Sequence, residues 1–287
     1  MKVKKAVIPA AGYGTRLLPA SKSIPKEMIP IVDRPTIQYV VEEALEAGIE
    51  EILIITSKNK QEIENYFDRD MELDTILAEK GKMKLKKEID RISNMVDLHY
   101  VRQKKQKGLG HAVACAETFV GNDPFAVLLG DDVVISDKPV IGQLAEEFEK
   151  KEAPILGVQD VSDEDVHKYG IVKYSKKEGG SYLLEDMIEK PSLKEAPSNL
   201  AILGRYVITP DIFPLLEETE PGKGGEIQLT DALQKLADKK SVYAYNFSGD
   251  RHDVGNKLGY LKANVTFALQ REEFSDEFKN YLKKALN

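Results

Sequence analysis

Short apolar runs alternate with segments of helical spacing along the first half of the chain. The apolar runs are typical of buried strands and cover residues 6–9, 51–56, 98–101 and 125–129. Between them, apolar positions that recur at helical spacing predict helices over residues 36–47, 60–67 and 110–119. Because strands and helices alternate, the pattern predicts an α/β fold, with a mainly parallel sheet and helices on both faces.

The second half of the chain contains more extended segments. Strands are predicted over residues 155–158, 171–174, 182–188, 201–208 and 242–247, and helices over 210–217 and 227–237. The tail, residues 257–286, has the pattern of an amphipathic helix. Residues 69–95 are rich in charge with interleaved apolar positions. They indicate either a helical insertion that covers a sheet edge or carries a subunit contact, or a solvated amphipathic helix.

Composition narrows the class of protein. Hydrophobic residues make up 42% of the 287 residues and charged residues 31%, as in ordinary globular proteins. The net charge of −7 argues against bulk nucleic-acid binding. The basic run at residues 102–107 suits either a small anionic ligand or a solvated loop. No apolar run approaches the ~20 residues of a membrane span, so we expect no membrane partner.

The single cysteine, Cys115, excludes an intramolecular disulfide and a cysteine-based zinc site. Its alanine-rich surroundings favour a buried helix position over a nucleophile. The first residues show no signal-peptide pattern, and with this cysteine usage we expect a cytoplasmic protein.

The turn after the first predicted strand carries candidate phosphate-binding residues. Gly12 and Gly14 leave room for a phosphate at the backbone, while Arg16 and Lys26 add positive charge. The dinucleotide fingerprint fails because Leu17 occupies the position of its third glycine, and no Gly-Lys-Ser/Thr run supports a Walker loop. The residues therefore indicate a nucleotide site of another kind, with a plain tight turn as the alternative.

Aspartates follow two of the predicted strands. Asp131 comes after the strand at residues 125–129, and Asp253 comes after the strand at residues 242–247. Ligands of α/β proteins bind at the carboxyl ends of parallel strands, and Mg²⁺ needs only one or two protein carboxylates beside phosphate oxygens. The pair of aspartates predicts a magnesium site, whereas an ordinary turn would explain either one alone.

Two further segments carry groups suited to a base and to a sugar. The Gln103 amide both donates and accepts, which suits a uracil edge, and Gly108 lets the backbone approach a flat ring. Glu189 can accept hydrogen bonds from sugar hydroxyls, and Lys190 can neutralise a phosphate. For Gln103 and Gly108 the alternative is a glycine-rich helix entry with a surface glutamine. For Glu189 and Lys190 it is a strand end with solvated charges. We expect His111 to cap or pack rather than to catalyse.

Together these motifs resemble the sugar-phosphate nucleotidylyltransferase family. The resemblance begins with Gly-x-Gly-Thr-Arg at residues 12–16 and Pro-Lys at residues 25–26, and it extends from Lys4 to Leu269. The other matching segments are residues 35–38, 103, 108–113, 130–132, 189–191, 201–206, 224–231 and 251–255. Each segment alone is a weak signal, but the ordered set is specific.

The resemblance implies a Rossmann-like, mostly parallel mixed sheet flanked by helices, in a single catalytic domain. Residues 1–150 would mainly bind nucleotide, residues 151–255 would mainly bind sugar, and residues 256–287 would form C-terminal helices. The implied activity is uridylyl transfer from UTP to α-D-glucose 1-phosphate, which gives pyrophosphate and UDP-glucose, a precursor of cell-envelope polysaccharides. It would be a Mg²⁺-assisted in-line attack without a covalent enzyme intermediate, in a homodimer or homotetramer.

The resemblance also assigns roles to residues of the nucleotide side. The uridine and phosphate backbone would be held by Ala10, Ala11 and Gly12. The β- and γ-phosphates would be held by Gly14, Thr15 and Arg16. The uracil would be read by Gln103 and Gly108, with Glu27 nearby.

The reacting centre and the sugar side draw on both halves of the chain. The catalytic cations would be Arg16, Lys26 and Lys190. The metal ligands would be Asp131, which also belongs to the nucleotide site, and Asp253. Glucose would be contacted by Gly170 and Glu189, and its phosphate by Lys190.

Two departures from the family pattern and two alternatives remain open. Tyr13 stands where an aliphatic residue is usual, and His252 stands where an aromatic residue is usual. A thymidylyltransferase is the first alternative, because uracil and thymine share the edge that Gln103 would read. A catalytically quiet, regulatory paralogue that binds a nucleotide sugar is the second, and the complete set of charged site residues argues against it.

Overall fold

Buried strands form the centre of the structure, a computed structural model that describes residues 1–286 without the side chain of Lys223. The strands, in chain order, are β1 Lys5–Pro9, β2 Pro30–Ile31, β3 Arg34–Pro35, β4 Glu51–Thr56, β5 Leu98–Arg102, β6 Phe125–Leu128, β7 Asp132–Ile135, β8 Ile155–Asp160, β9 Gly170–Glu178, β10 Ser181–Glu189, β11 Leu200–Ile208, β12 Tyr243–Asn246 and β13 Asp250–Asp253. The α-helices are α1 Thr36–Glu46, α2 Gln61–Phe67, α3 Met71–Glu79, α4 Met83–Ser93, α5 Leu109–Ala114, α6 Glu117–Val120, α7 Val140–Lys151, α8 Ile212–Glu217, α9 Leu229–Ala237, α10 Lys257–Leu269 and α11 Ser275–Ala285.

Nine of these strands form one sheet in the order β5-β4-β1-β6-β11-β8-β12-β10-β9. They are the strands that the apolar pattern predicts. The strands β5, β4, β1 and β6 are parallel to one another. The strand β11 lies antiparallel to β6 and β8, and β10 lies antiparallel to β12 and β9. Seven of the nine strands thus run the same way, and the prediction of a mostly parallel mixed sheet flanked by helices is confirmed.

Successive strand residues pack into two cores, one on each face of the sheet. Val7 joins a buried cluster with residues of α5, α8 and α9, whereas Ala6 and Ile8 join a second cluster with residues of α1 and α7. Because side chains alternate between the faces of a strand, burial on both faces requires a continuous apolar run. This requirement is why β1, β4 and β6 are readable in the sequence as almost unbroken apolar segments.

The charged segment at residues 69–95 folds into α3 and α4. Ile92 of α4 belongs to the same buried cluster as Ile63 and Phe67 of α2. Ile89 of α4 and Leu98 of β5 pack against this cluster. The insertion therefore packs near β5, the strand at one edge of the sheet. A subunit contact on its other side stays a prediction.

The C-terminal tail is helical, as predicted, and consists of two helices, α10 and α11. The side chain of Asn256 caps α10 by accepting from the Gly259 N–H at 2.9 Å. Ala263 of α10 packs in a small buried cluster with Ile31, Val133 and Val254. Within residues 1–286, none of the helices combines the length and the apolar character needed to span a bilayer.

A buried ion pair joins the sheet to two helices on one face. The fully buried Arg205 of β11 donates to the Glu43 carboxylate of α1, with Nη2 at 2.6 Å from Oε2. Glu43 also accepts from the Ile141 N–H of α7 at 3.1 Å, and Arg205 Nη2 donates to the Asp132 carbonyl at 2.8 Å. Burial alone would lower the pKa of Arg205, but the Glu43 charge raises it, so the guanidinium stays ionised.

We expect Glu43→Ala to lower the free energy of unfolding by about 3–5 kcal/mol, because it leaves Arg205 buried without its carboxylate. Urea denaturation measures the change. The exposed Glu46 lies on the same helix, and Glu46→Ala is the matched control, expected to change the free energy by less than about 0.5 kcal/mol. Equal changes in the free energy of unfolding would show that the ion pair of Glu43 and Arg205 stabilises the fold no more than an exposed glutamate does.

Candidate active site

The turn after β1 brings the two phosphate-binding motifs into contact. Gly14 has a positive φ of 66°, a conformation that favours glycine. A Cβ on Gly14 would lie 3.1 Å from the Cβ of Lys26 and 3.2 Å from the Cβ of Ser21. Ser21 Oγ donates to the Gly14 carbonyl at 2.7 Å. A larger residue at position 14 would therefore separate the turn from Lys26.

The first residues of the turn offer backbone rather than side chains. Ala10 and Ala11 are buried, and the Ala10 N–H donates to the Ile55 carbonyl of β4 at 2.8 Å. Gly12 and Thr15 are exposed at the surface of the turn. The proposed contacts of Ala10 and Ala11 to a nucleotide would thus be made by main-chain atoms, and they stay a prediction.

Tyr13 joins this turn to the segment that follows β5. Its hydroxyl donates to Gln106 Oε1 at 2.9 Å, and Gln106 Nε2 donates to the Ala11 carbonyl at 3.4 Å. An aliphatic residue at position 13 could not make the first of these bonds. The departure at Tyr13 therefore adds a contact between the phosphate turn and the segment that carries Gln103.

Four charged side chains from three separate segments of the chain meet beside the turn. Lys26 Nζ donates to Asp131 Oδ2 at 2.6 Å. Arg16 lies between two carboxylates, with Nη2 at 3.6 Å from Asp131 Oδ2 and Nη1 at 3.3 Å from Asp253 Oδ2. All four were candidates from sequence, and the structure brings them into one cluster.

Opposite charges keep this cluster ionised. Burial alone would raise the pKa of Asp131, but Lys26 and Arg16 together hold it below its ordinary value. Burial alone would lower the pKa of Lys26, but Asp131 and Glu27 together raise it. At neutral pH Asp131 and Lys26 are therefore both ionised.

A two-stranded ladder sets the spacing of the two candidate metal ligands. β13 pairs antiparallel with β7, so that Asp253 lies opposite Asp132, and the Val254 N–H donates to the Asp131 carbonyl at 3.1 Å. A Cβ added at Gly255 would lie 2.4 Å from Asp131 Oδ2 and 3.1 Å from Asp253 Oδ1. Oxygens of both carboxylates thus lie close together beside Gly255, with Arg16 Nη2 at 2.6 Å from the same Cβ position, and a side chain at Gly255 would displace them.

This convergence fits a hard divalent cation. Among the side chains described within residues 1–286, no three His, Cys, Asp or Glu residues gather in a way that could hold a metal. A metal here would therefore rest on Asp131 and Asp253, and Mg²⁺ usually takes only one or two protein carboxylates and completes its shell with water and substrate phosphate oxygens. The donor set suits a metal that arrives with a nucleotide.

Residues that were not predicted as site residues hold Asp132, the neighbour of the candidate ligand Asp131. Arg251 Nη2 donates to Asp132 Oδ2 at 2.8 Å, and Arg251 Nη1 donates to the Tyr169 hydroxyl at 3.1 Å. A Cβ on Gly204 would lie 2.5 Å from Asp132 Oδ2. Sequence reasoning missed Arg251, Asp132 and Tyr169, because their partners are remote in the chain. Asp132 and Arg251 lie in matching motif segments close to the candidate aspartates, and Tyr169 precedes the candidate Gly170; these positions were the only available signal.

Gln103 is oriented by two neighbours. It is buried, and its Nε2 lies 3.1 Å from the Gly108 carbonyl and 2.9 Å from His111 Nδ1. An amide N–H donates to both only when His111 Nδ1 accepts, which requires the neutral ring with its proton on Nε2. Burial and then Lys107 lower the pKa of His111, in agreement with a neutral ring. An incoming base would therefore meet the Gln103 carbonyl oxygen, an acceptor.

Gly108 has a structural reason to be glycine apart from any ligand. Its φ is 101°, and a Cβ there would lie 2.7 Å from both Glu226 Cβ and the Ile227 carbonyl oxygen. The segment before α9 packs directly on it, and the Ile227 N–H donates to the Lys107 carbonyl at 2.7 Å. Its role at uracil stays a prediction.

Glu27 lies behind the phosphate turn. It is fully buried, and its Oε2 accepts from Lys60 Nζ at 2.7 Å. Lys26 and Lys60, on either side of it, line a cavity of about 850 Å³ that also contacts Gly12 and Gln103. Sequence reasoning missed Lys60. The direct nucleotide contact expected of Glu27 stays a prediction.

The candidate sugar residues lie together on the second half of the sheet. Gly170 of β9 pairs with Glu189 of β10, and a Cβ on Gly170 would lie 3.1 Å from Glu189 Oε2. That oxygen accepts from Thr230 Oγ1 at 2.7 Å, and Lys190 Nζ lies 3.2 Å from Glu189 Oε1. Lys190 has a positive φ of 48°, and its N–H donates to the Tyr169 carbonyl at 2.9 Å. The backbone thus links the sugar candidates to Tyr169.

Two cavities lie on either side of the charged cluster. The first, already described, is lined by Lys26. The second, of about 910 Å³, is lined by Arg16, Tyr169, Arg251 and Asp253. The cluster therefore has a cavity on the β5–β1 side and another towards the second half of the sheet. Lys26 lines the first cavity and Arg16 lines the second, so each cavity is lined by one cation of the cluster.

Known proteins are similar to this chain in both sequence and fold. The profile of the family described as nucleotidyl transferase matches residues 5–270. A Bacillus subtilis (strain 168) relative, named UTP–glucose-1-phosphate uridylyltransferase, is 54% identical over 286 residues that cover 100% of this chain and 98% of the relative.

Solved structures give the same result. A UDP-glucose pyrophosphorylase complexed with UDP-glucose is 48% identical with a TM-score of 0.87, covering 94% of this chain and 100% of that one. The UTP-bound UGPase from Acinetobacter baumannii is 47% identical with a TM-score of 0.90, covering 98% of each chain. This chain belongs to the nucleotidyl transferase family.

Proposed function

We propose that this protein transfers a uridylyl group from UTP to α-D-glucose 1-phosphate, releasing pyrophosphate and forming UDP-glucose. The observation that carries the proposal is the cluster of Lys26, Asp131, Arg16 and Asp253 between two cavities. The choice of UTP and glucose 1-phosphate is supported by the names of a relative that is 54% identical in sequence and of a solved structure whose sequence is 48% identical.

The reaction needs charge compensation more than it needs a base. A phosphate oxygen of glucose 1-phosphate forms a bond to the α-phosphorus of UTP, and the bond from that phosphorus to the pyrophosphate oxygen breaks. The nucleophile is already an anion, so no proton must be removed and no covalent enzyme intermediate is required. The obstacle is repulsion between two polyanions. Lys26, Arg16 and Lys190 are the cations that reduce it, because fixed charges at a desolvated centre cost no reorganisation during the reaction.

Mg²⁺ is the divalent cation that this acidic pair would hold, through Asp131 and Asp253. When bound, it would neutralise phosphate charge at the reacting centre. The turn at Gly12, Gly14 and Thr15 would position the triphosphate through backbone amides.

The ends of the two substrates are recognised by separate segments. Gln103, whose Nε2 donates to Gly108 and His111, would accept from the N3–H of uracil through its carbonyl oxygen. Ala10 and Ala11 would supply main-chain contacts, and Gly108 would lie beside the ring. Glu189, next to Gly170, would accept from glucose hydroxyls, and Lys190 would bind the sugar phosphate. We propose that the protein acts in the cytoplasm as a homodimer or homotetramer.

Pyrophosphate release tests the proposal directly. We expect turnover with UTP and glucose 1-phosphate, dependent on Mg²⁺, to exceed turnover with dTTP by at least about tenfold in kcat/KM, since a pocket shaped for uracil loses about 1–3 kcal/mol on accommodating the extra methyl of thymine. A preference for dTTP would favour the thymidylyltransferase alternative. Tight UTP binding without pyrophosphate release would favour a regulatory, non-catalytic protein.

We expect Asp131→Asn to lower kcat by at least ~10², about 3 kcal/mol in barrier, because it removes a metal ligand and the partner of Lys26. Steady-state kinetics at saturating UTP measure this loss. The matched control is Asp137→Asn, at an exposed aspartate just after β7, for which we expect wild-type kcat. Near wild-type turnover of Asp131→Asn would reject the metal assignment.

We expect Lys26→Ala to separate binding from catalysis. Binding of UTP should survive within about tenfold in Kd, since the turn and Gln103 remain, while kcat falls by at least ~10² because a charge is missing at the reacting phosphate. Calorimetric titration gives the Kd and pyrophosphate release gives kcat. Lys84→Ala, at an exposed lysine of α4, is the control. An unchanged kcat in Lys26→Ala would remove Lys26 from the mechanism.

A further inference from the structure

A second ion pair lies behind the pair formed by Lys26 and Asp131. Lys26 and Glu27 are neighbours on one short 3-10 helix, Lys26–Met28. The Glu27 carboxylate is fully buried and bonds to Lys60 Nζ at 2.7 Å, and the Lys60 side chain is itself only 7% exposed. Lys60 comes from a different loop, directly before α2. Nothing in the proposed chemistry uses this pair.

The position of Glu27 makes it a competitor for Lys26. Its negative charge acts on Lys26 together with that of Asp131, so two carboxylates attract one ammonium. Only one of the Glu27 oxygens is bonded, because Oε1 has no hydrogen-bond partner among the described residues. Lys60 occupies the other oxygen. Without Lys60, the buried carboxylate would have two free oxygens, and the remaining cation whose charge acts on it would be the ammonium of Lys26.

Close packing and burial restrict the Glu27 side chain. A Cβ on Gly130, the residue before Asp131, would lie 3.2 Å from Glu27 Cγ, so the loop that carries Asp131 packs closely over this side chain. Burial raises the pKa of Glu27, and Lys60 opposes that rise. An unpaired buried carboxylate is costly, and it is stabilised by whichever cation reaches it.

We propose that Lys60 is a positioning residue, which holds the Glu27 carboxylate and so keeps the Lys26 ammonium on Asp131, where the substrates bind. This inference rests on the proposed uridylyl transfer. It differs from a purely structural role, in which the pair of Lys60 and Glu27 would stabilise the fold and leave the chemistry unaffected.

The first experiment is Lys60→Met, which keeps the length of the side chain and removes its charge. We expect kcat for pyrophosphate release to fall by at least about tenfold, since one charge-assisted contact of Lys26 is redirected. Lys82 is the matched control, because it is an exposed lysine that also lies directly before a helix, α4. Lys82→Met should keep wild-type kcat. Values are corrected for the folded fraction measured by circular dichroism.

The second experiment asks whether Lys60 acts through Lys26. In the Lys26→Ala background, Lys60→Met should lower kcat by less than about twofold further, because the group that it positions is already absent. A structural role predicts the opposite, an equal loss in both backgrounds. Additive losses, or a Lys60→Met enzyme within twofold of wild type, would overturn the proposal.

A third variant covers the case in which Lys60→Met does not fold. The double variant Glu27→Gln/Lys60→Met removes both buried charges, so no carboxylate remains to attract Lys26. We expect its kcat to be at least about tenfold above that of Lys26→Ala. A kcat as low as that of Lys26→Ala would overturn the proposal. Wild-type enzyme that released no pyrophosphate would instead overturn the proposed function.

Discussion

The ion pair between Lys26 and Asp131 is the interaction on which the rest of the site depends. The lysine follows β1 and the aspartate follows β6, two adjacent parallel strands, so the sheet delivers both to the same edge. Each residue has a further partner of opposite charge, Arg16 beyond Asp131 and Glu27 beside Lys26. The result is a row of alternating charges that presents cations to an anionic substrate and carboxylates to a metal ion.

The charged row is held by buried polar contacts on its far side. Arg205 donates to the Asp132 carbonyl, and Arg251 donates to the Asp132 carboxylate, so the residue next to Asp131 is fixed at both backbone and side chain. Breaking such buried contacts costs several kcal/mol, which is why the loop holds its position. Fold stability and the site are therefore linked. Glu43, which is not one of the candidate site residues, holds Arg205 in place, and Arg205 in turn holds Asp132.

Much of the fold and of the candidate site was readable from the chain alone. The nine strands of the sheet coincide with the nine predicted runs, and the signal is clearest in β6 and β11, where every position is buried. The four missed strands, β2, β3, β7 and β13, are short pieces of two-stranded sheets, where burial is partial and the apolar signal is weak. Glycine at position 14 and the charges at Arg16, Lys26, Asp131 and Asp253 were identifiable by chemistry and spacing.

What the sequence determined by itself is the set of elements and the kinds of group at their ends, because apolar periodicity and local turn chemistry act over a few neighbouring residues. The tertiary structure alone decided the pairings: Lys60 with Glu27, Arg251 with Asp132, His111 with Gln103, and Arg16 between two carboxylates. Such partners meet only when the sheet order brings their loops together. Their free energies depend on burial and distance, quantities that a linear chain does not contain.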